Sequence, residues 1–171
     1  MQFNFKFYGE INVNPFVSLV DELNWEEYTF RQDRYAVHAH TQTVPLIWDE
    51  QLNKIQFWEN YYRISNELII LQDWLKIVVG DGLIKTAILI KLPKGNCIAR
   101  HYDKGKHFIE CNRIHIPIIT NPECIFEIDN ERRNLKVGEV WEINNNAKPH
   151  AVFNNGDTDR VHLLLDYYII K

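Results

Sequence analysis

The chain has 171 residues, 46% hydrophobic and 25% charged, with a formal net charge of −4. Such a chain is long enough to bury a core as one globular domain and too apolar to be disordered. It carries no Lys/Arg run of the kind that grips nucleic acid, and its apolar stretches are too short to span a membrane.

The N-terminal part mixes strand and helix periods. Phe3, Phe5 and Phe7 alternate, which predicts a strand over Met1 to Phe7 and no signal peptide. Asn14 is placed to cap a helix with Pro15 at its first position, and Phe16, Leu19, Val20 and Leu23 give that helix one apolar stripe. Tyr35 to Trp48 is expected to form short strands around Pro45. Phe57, Tyr61, Ile64, Leu68, Leu71 and Leu75 step by three and four, so a second helix is expected from Phe57 to Val79, stopped by Gly80-Asp81-Gly82.

Beyond Gly82 short β-branched runs alternate with turn residues. Strands are expected at Ile84 to Leu92, Cys97 to His101, Lys106 to Thr120, Cys124 to Ile128, Val140 to Asn144, Ala151 to Asn154 and Arg160 to Ile170. This spacing predicts a mainly β chain, a sandwich or double-sheet barrel. Residues 1–171 are expected to be a single domain, with strands and helices of 1–82 packed on a core formed by 83–171. Cys97, Cys111 and Cys124 are odd in number and lack C-x-x-C spacing, so reduced thiols in a cytoplasmic protein are expected.

The chemistry concentrates in the second half. Residues two apart in a strand face the same side, so His101 and Asp103 project together. With His150 they offer two imidazoles and one carboxylate, a facial set that leaves positions open on a metal and suits non-heme Fe(II). Arg160, ten residues after His150, has the planar fork that pairs with a carboxylate. Such a set suits Fe(II) with a dicarboxylate oxo-acid beside it. Arg113 and His115 repeat the alternation of Arg160 and His162, so a polar cavity is expected on one side of a sheet and packed core on the other. Each residue also has a plainer reading. Arg160 could pair with Asp166, and Arg113, His115 and His162 could be supporting or packing groups. His107 is expected at a strand edge or loop, and Asn144 to Asn146 in a turn. His38 and His40 form a rival same-face pair that lacks a third ligand.

The strings H-x-D from His101, R-x-H-x-P from Arg113, G-E-x-W from Gly138, H-x-V-x-N from His150 and R-x-H-L-x-x-D from Arg160 together resemble the aspartyl/asparaginyl β-hydroxylase domain. The resemblance is strongest from Leu83 to Asp166. It implies a double-stranded β-helix, a jelly-roll of cupin-like form supported by N-terminal helices, and Fe(II)- and 2-oxoglutarate-dependent dioxygenase chemistry with O2. By position it implies that His101, Asp103 and His150 hold iron and that Arg160 binds the distal carboxylate of 2-oxoglutarate. Arg113 and His115 would lie near co-substrate or substrate. The position of Asp103 is not a carboxylate in the animal β-hydroxylase; in keeping one, the chain looks more like bacterial members that hydroxylate free proline. The implied substrate is an amino-acid side chain, free or in a peptide, bearing a carboxylate that answers the cation left over at Arg113. The competing readings are a non-catalytic cupin-like module that binds a metal or small acid, and a cupin isomerase or dioxygenase that works without 2-oxoglutarate.

Overall fold

In the computed structural model, which describes residues 3–49 and 54–170, two antiparallel sheets lie face to face. The chain runs β1 (Phe5–Glu10), α1 (Asn14–Asp21), α2 (Phe30–Arg34), a 3-10 turn at Ala36–His38, β2 (Gln42–Trp48), β3 (Gln56–Phe57), α3 (Glu59–Tyr62) and α4 (Ser65–Val78). It continues through β4 (Gly82–Leu92), β5 (Cys97–His101), α5 (Lys106–Glu110), β6 (Cys111–Ile119), β7 (Cys124–Ile128), β8 (Glu131–Arg133), β9 (Glu139–Ile143), β10 (His150–Asn154) and β11 (Arg160–Ile169). The major sheet has the order β1-β9-β6-β11-β4-β2-β3, and the minor sheet β5-β10-β7-β8. Two facing sheets are the double-sheet arrangement that the short strands after Gly82 predict, in the jelly-roll form that the resemblance implies.

Alternation along the central strands decides what each face does. On β6, Ile114, Ile116 and Ile118 point to the helical side, while Arg113 and His115 point between the sheets. On β11, Val161, Leu163, Leu165 and Tyr167 join the helical side, and Arg160, His162 and Leu164 line the opposite face. A bulge between Asp166 and Tyr167, facing Thr86 and Ile84, shifts the register, which is why Ile84 turns to the helical side. The helical core takes Phe16, Leu19 and Val20 of α1 and Leu68, Leu71 and Leu75 of α4. A second core, with Phe5, Ile98, Phe126, Ile128, Ile143 and Val152, seals the two sheets together. Each fully buried side chain of this size contributes about 1.5–3 kcal/mol of transfer free energy, so the layers set the frame on which the polar face is carried.

Several local expectations give way to tertiary packing. The strand predicted at Met1 to Phe7 begins at Phe5, and Met1 and Gln2 lie outside the described residues. Asn14 is the first residue of α1 rather than its cap, and its N–H donates to the Asn12 side chain at 3.1 Å. The helix expected from Phe57 to Val79 is broken at Arg63–Ile64, because α3 packs on β2 while α4 packs on β4; Phe57 belongs instead to β3, opposite Ile47. Residues 35–41 hold a 3-10 turn, with strand only from Gln42, so His38 and His40 are not same-face strand neighbours. Lys106–Glu110 is a turn of helix, set off by Gly105 at φ +126, a conformation that favours glycine.

Leu75 is fully buried on α4 and Ile70 on the same helix is 68% exposed. Leu75→Ala is therefore expected to lose about 2–5 kcal/mol of unfolding free energy and Ile70→Ala less than about 0.5 kcal/mol. Urea titration of both variants checks this; equal losses would contradict the docking of α4.

Candidate active site

The minor sheet brings the two histidines together. His101 ends β5 and His150 begins β10, and the two are direct cross-strand partners, with ring centroids 4.1 Å apart. Asp103 follows two residues after β5, its N–H donating to the Asn145 carbonyl at 3.1 Å. His101 Nε2 is 3.6 Å from Asp103 Oδ1, and His150 Nε2 is 3.8 Å from Asp103 Oδ2. One donor atom from each of the three lies within 4.8 Å of the others, so a single ion can reach all three. The donor set fits a divalent metal in its protonation as well. The Ala99 carbonyl, 2.8 Å from His101 Nδ1, requires that nitrogen to donate, so Nε2 is the nitrogen turned to the metal position. Burial, ahead of its charged neighbours, lowers the His150 pKa to about 4, so its ring is neutral at pH 7.

The carboxylate is held from the major sheet. Arg113 donates to Asp103 Oδ2 at 2.6 Å, and Asn145 Nδ2 donates to the same oxygen at 2.8 Å. Arg113 also gives a two-pronged contact to Asp166, its cross-strand partner on β11, through Nε to Oδ1 at 2.8 Å and Nη2 to Oδ2 at 2.9 Å. His107 of α5 donates to or shares a proton with Asp166 Oδ2 at 2.7 Å. Burial is the largest single effect and would raise both carboxyl pKa values, but Arg113 together with His107 at Asp166, and with His101, His150 and Asn145 at Asp103, outweighs it: Asp166 is held at about 2 and Asp103 well below the usual carboxylate range. These contacts correct the expectation that Arg113 is a cation left over for a ligand. Two buried carboxylates already occupy it. They also remove the plainer reading of Arg160, since Asp166 pairs with Arg113 instead.

Arg160 is buried without an acid partner among the described residues. It is 2% exposed, it donates to His162 Nδ1 at 2.8 Å, and its guanidinium lies 5.9 Å from the Phe126 ring centre. Among the described residues no carboxylate forms an ion pair with it, and burial lowers its pKa to about 10. His115 stands beside it, held neutral by burial and then by Arg160, with Nδ1 buried and without a hydrogen-bond partner among the described residues. Arg160, His115, His162 and the metal-ligand candidates line one narrow cavity of about 30 Å3. That cavity borders a cleft of about 790 Å3, and Arg31, His38, His101, Asp103 and Arg113 line both.

The sequence reading thus finds its six residues around one space, but it missed four that shape it. Asp166 shares the inward face of β11 with Arg160 and His162 by steps of two, a signal that was present before the bulge. Asn145 lies in a turn, as expected, but is fully buried there and donates to Asp103. His38 is no rival ligand: its Nε2 faces Arg31 Nη2 at 2.9 Å, and burial, followed by Arg31, lowers its pKa to about 2. His40 is exposed. Arg31 itself gave no sequence signal, since α2 is only five residues long.

A family model described as aspartyl/asparaginyl beta-hydroxylase matches residues 17–169. The chain belongs to that family. Among solved structures, this family member is similar to a 2OG-Fe(II) oxygenase family oxidoreductase from Burkholderia pseudomallei, at 14% identity and a TM-score of 0.61, covering 94% of this chain and 91% of that one. A Pseudomonas putida prolyl-4-hydroxylase gives 13% identity, a TM-score of 0.58 and coverage of 99% and 95%. A viral collagen prolyl hydroxylase from Paramecium Bursaria Chlorella virus-1, solved with 2OG, gives 7% identity, a TM-score of 0.60 and coverage of 99% and 98%. No curated protein matches the sequence. The family and its site make this hydroxylase a 2-oxoglutarate-dependent dioxygenase that uses Fe(II) and O2.

Asp166→Asn removes one of the two charges that compensate a buried arginine, and is expected to cost about 3–5 kcal/mol at pH 7. The folded-state pKa of Asp166 is depressed, so its contribution is present above the unfolded carboxyl value of about 3.9 and is lost as pH falls through about 2. Denaturant titrations should therefore show the gap between wild type and variant narrowing as pH is lowered from 4 toward 2; a gap independent of pH would contradict the ion pair.

Proposed function

We propose that this dioxygenase hydroxylates an amino-acid side chain, free or within a peptide, with His101, Asp103 and His150 holding Fe(II) and Arg160 anchoring the distal carboxylate of 2-oxoglutarate. One observation carries the reading: three convergent metal-type donors share a cavity with a buried arginine that has no acid of its own. When bound, Fe(II) with 2-oxoglutarate and O2 supplies the oxidant that turns a C–H bond into C–OH, with succinate and CO2 as the other products.

The chain supplies orientation, charge and dryness. The Ala99 carbonyl accepts from His101 Nδ1, which leaves Nε2 as the nitrogen available to a metal. Arg113 and Asn145 occupy Asp103 Oδ2, which leaves Oδ1 on the side of His101 as the free donor oxygen. Arg113 is therefore a positioning residue. Its fork keeps Asp103 ionised and aimed, while Asp166 and His107 hold the fork. Arg160 is presented by the first residue of β11 and steered by His162. A charge-assisted pair in this desolvated setting is stronger than a surface pair. His115, with its unpartnered Nδ1, is placed to meet the co-substrate beside Arg160. Ile90, Ile98, Phe126, Val152 and Leu164 complete the wall and exclude water. The inner cavity holds little more than one water as it stands, so the lining side chains must shift to admit a five-carbon diacid. The adjoining cleft has the volume of a small-molecule or peptide-segment site.

The test is anaerobic titration of 2-oxoglutarate into Fe(II)-loaded protein, following the metal-to-ligand charge-transfer band. Wild type should develop the band. His101→Ala and His150→Ala should lose specific Fe(II) binding, and Asp103→Ala should weaken it severely. Arg160→Gln should keep iron but raise the 2-oxoglutarate midpoint at least about 30-fold, equivalent to about 2 kcal/mol. An unchanged midpoint in Arg160→Gln would move the anchor to another cation. Free amino acids and short Asp-, Asn- and Pro-containing peptides are the substrates to screen for stimulated succinate release and a gain of one oxygen atom; stimulation by sugars or nucleobases alone would refute the amino-acid substrate.

A further inference from the structure

A second buried arginine has no acid partner among the described residues. Arg31 is 6% exposed and is the buried side chain of α2. Its Nη1 donates to Thr43 Oγ1 of β2 at 3.4 Å and its Nη2 donates to His38 Nε2 at 2.9 Å. Neither partner is charged: one is a hydroxyl, and His38 accepts through an unprotonated nitrogen. Among the described residues no carboxylate forms an ion pair with Arg31. Asp103 and Asp166 act on it only at longer range, and both already belong to Arg113, whose like charge works against Arg31. A guanidinium has five N–H donors, and two are used here, in a plane set by Thr43 and His38.

Location separates this arginine from Arg160. Arg160 lines only the narrow inner cavity, with His115 and His162. Arg31 lines that cavity and also the cleft of about 790 Å3, at the border that His38, His101, Asp103 and Arg113 share. The ring of His38, which fixes the Arg31 fork, lies 5.7 Å from the ring of the metal-ligand candidate His101. A cation held ready at the point where the cleft meets the metal donors, and without an acid partner among the described residues, is arranged for an anion that arrives through the cleft. Burying it without one costs several kcal/mol, which a bound carboxylate would return.

We propose that Arg31 anchors a carboxylate of the substrate on the cleft side of the metal donors, so that the substrate of this enzyme is an amino acid or peptide with a free carboxylate close to the carbon that is hydroxylated. The inference rests on the Fe(II)/2-oxoglutarate reading of the site and goes further in assigning the substrate's charge to one residue. Arg160 then serves the co-substrate and Arg31 the substrate, with Thr43 and His38 as positioning residues.

The experiment uses full-length protein loaded anaerobically with Fe(II) and saturating 2-oxoglutarate. The probes are the free acids L-proline, L-aspartate, L-asparagine and L-glutamate, each against the amide at its α-carboxylate, with affinity measured by calorimetry. Wild type should bind at least one acid tenfold or more tighter than its amide. Arg31→Gln should bring that preference to within about twofold while the 2-oxoglutarate midpoint stays within about twofold of wild type. Arg31→Lys, which keeps the charge but not the fork, should retain part of the preference and decides the question if Arg31→Gln does not fold. The inference is overturned if wild type prefers no acid over its amide, if the preference survives in both variants, or if Arg31→Gln raises the 2-oxoglutarate midpoint as Arg160→Gln is expected to do. Failure of the underlying reading looks different: wild-type protein would then form no 2-oxoglutarate charge-transfer band at all.

Discussion

Arg113 joins the two sheets at the place where the chemistry is set. It gives two bonds to Asp166, its neighbour across β6 and β11, and a third to Asp103, the carboxylate that stands beyond the end of β5. Burial works to raise the Asp103 pKa, and Arg113 is the largest of the neighbours that oppose it. With Arg113, one oxygen is tied to the major sheet and the carboxylate stays charged. The cross-strand pairing of His101 with His150 belongs to the minor sheet alone. This guanidinium, with Asn145 beside it, holds the carboxylate that follows the minor-sheet strand β5 against the major sheet.

The same accounting of buried charge sorts the arginines of the interior. Arg113 has two acids and is raised in pKa, Asp166 and Asp103 outweighing the effect of burial. Arg160 and Arg31 have none among the described residues, and burial lowers each to about 10. They are oriented instead by neutral histidines, His162 for one and His38 for the other. A neutral imidazole aims a guanidinium without cancelling its charge. The protein thus spends its own carboxylates on the residue that must not move and leaves uncompensated the two that line the space for ligands. That pattern is what separates a site for anionic small molecules from a structural ion-pair network.

Much of this was legible because strands have a period of two. The pairs His101/Asp103, Arg113/His115 and Arg160/His162 declare a polar face wherever they fall in a strand, and the isoleucines and leucines between them declare the opposite face. Register was not legible. Asp166 lies six residues from Arg160 on one strand, roughly 20 Å away, so the two cannot pair; that Asp166 meets Arg113 depends on which residues lie opposite each other across β6 and β11, and that is fixed by bulges and by the sheet as a whole. The sequence reading therefore made Arg113 the spare cation when the spare cations are Arg160 and Arg31. Arg31 was invisible for another reason. It sits on a five-residue helix with no apolar period, and its burial comes from packing beside β2 rather than from any local pattern. The helix break at Arg63–Ile64 has a similar origin, since a continuous apolar stripe cannot show that its two parts face different strands.

The central claim is that the buried charges divide between a self-compensated positioning arginine and arginines kept for carboxylate ligands. The most direct measurement is an anaerobic crystal structure of the protein with Fe(II) and 2-oxoglutarate. The account predicts iron on His101 Nε2, His150 Nε2 and an oxygen of Asp103, the far carboxylate of 2-oxoglutarate on Arg160, and Arg113 still bound to Asp166 and Asp103. Iron held by other residues, or a co-substrate carboxylate seated on Arg113 with its pairs to Asp166 and Asp103 broken, would contradict it.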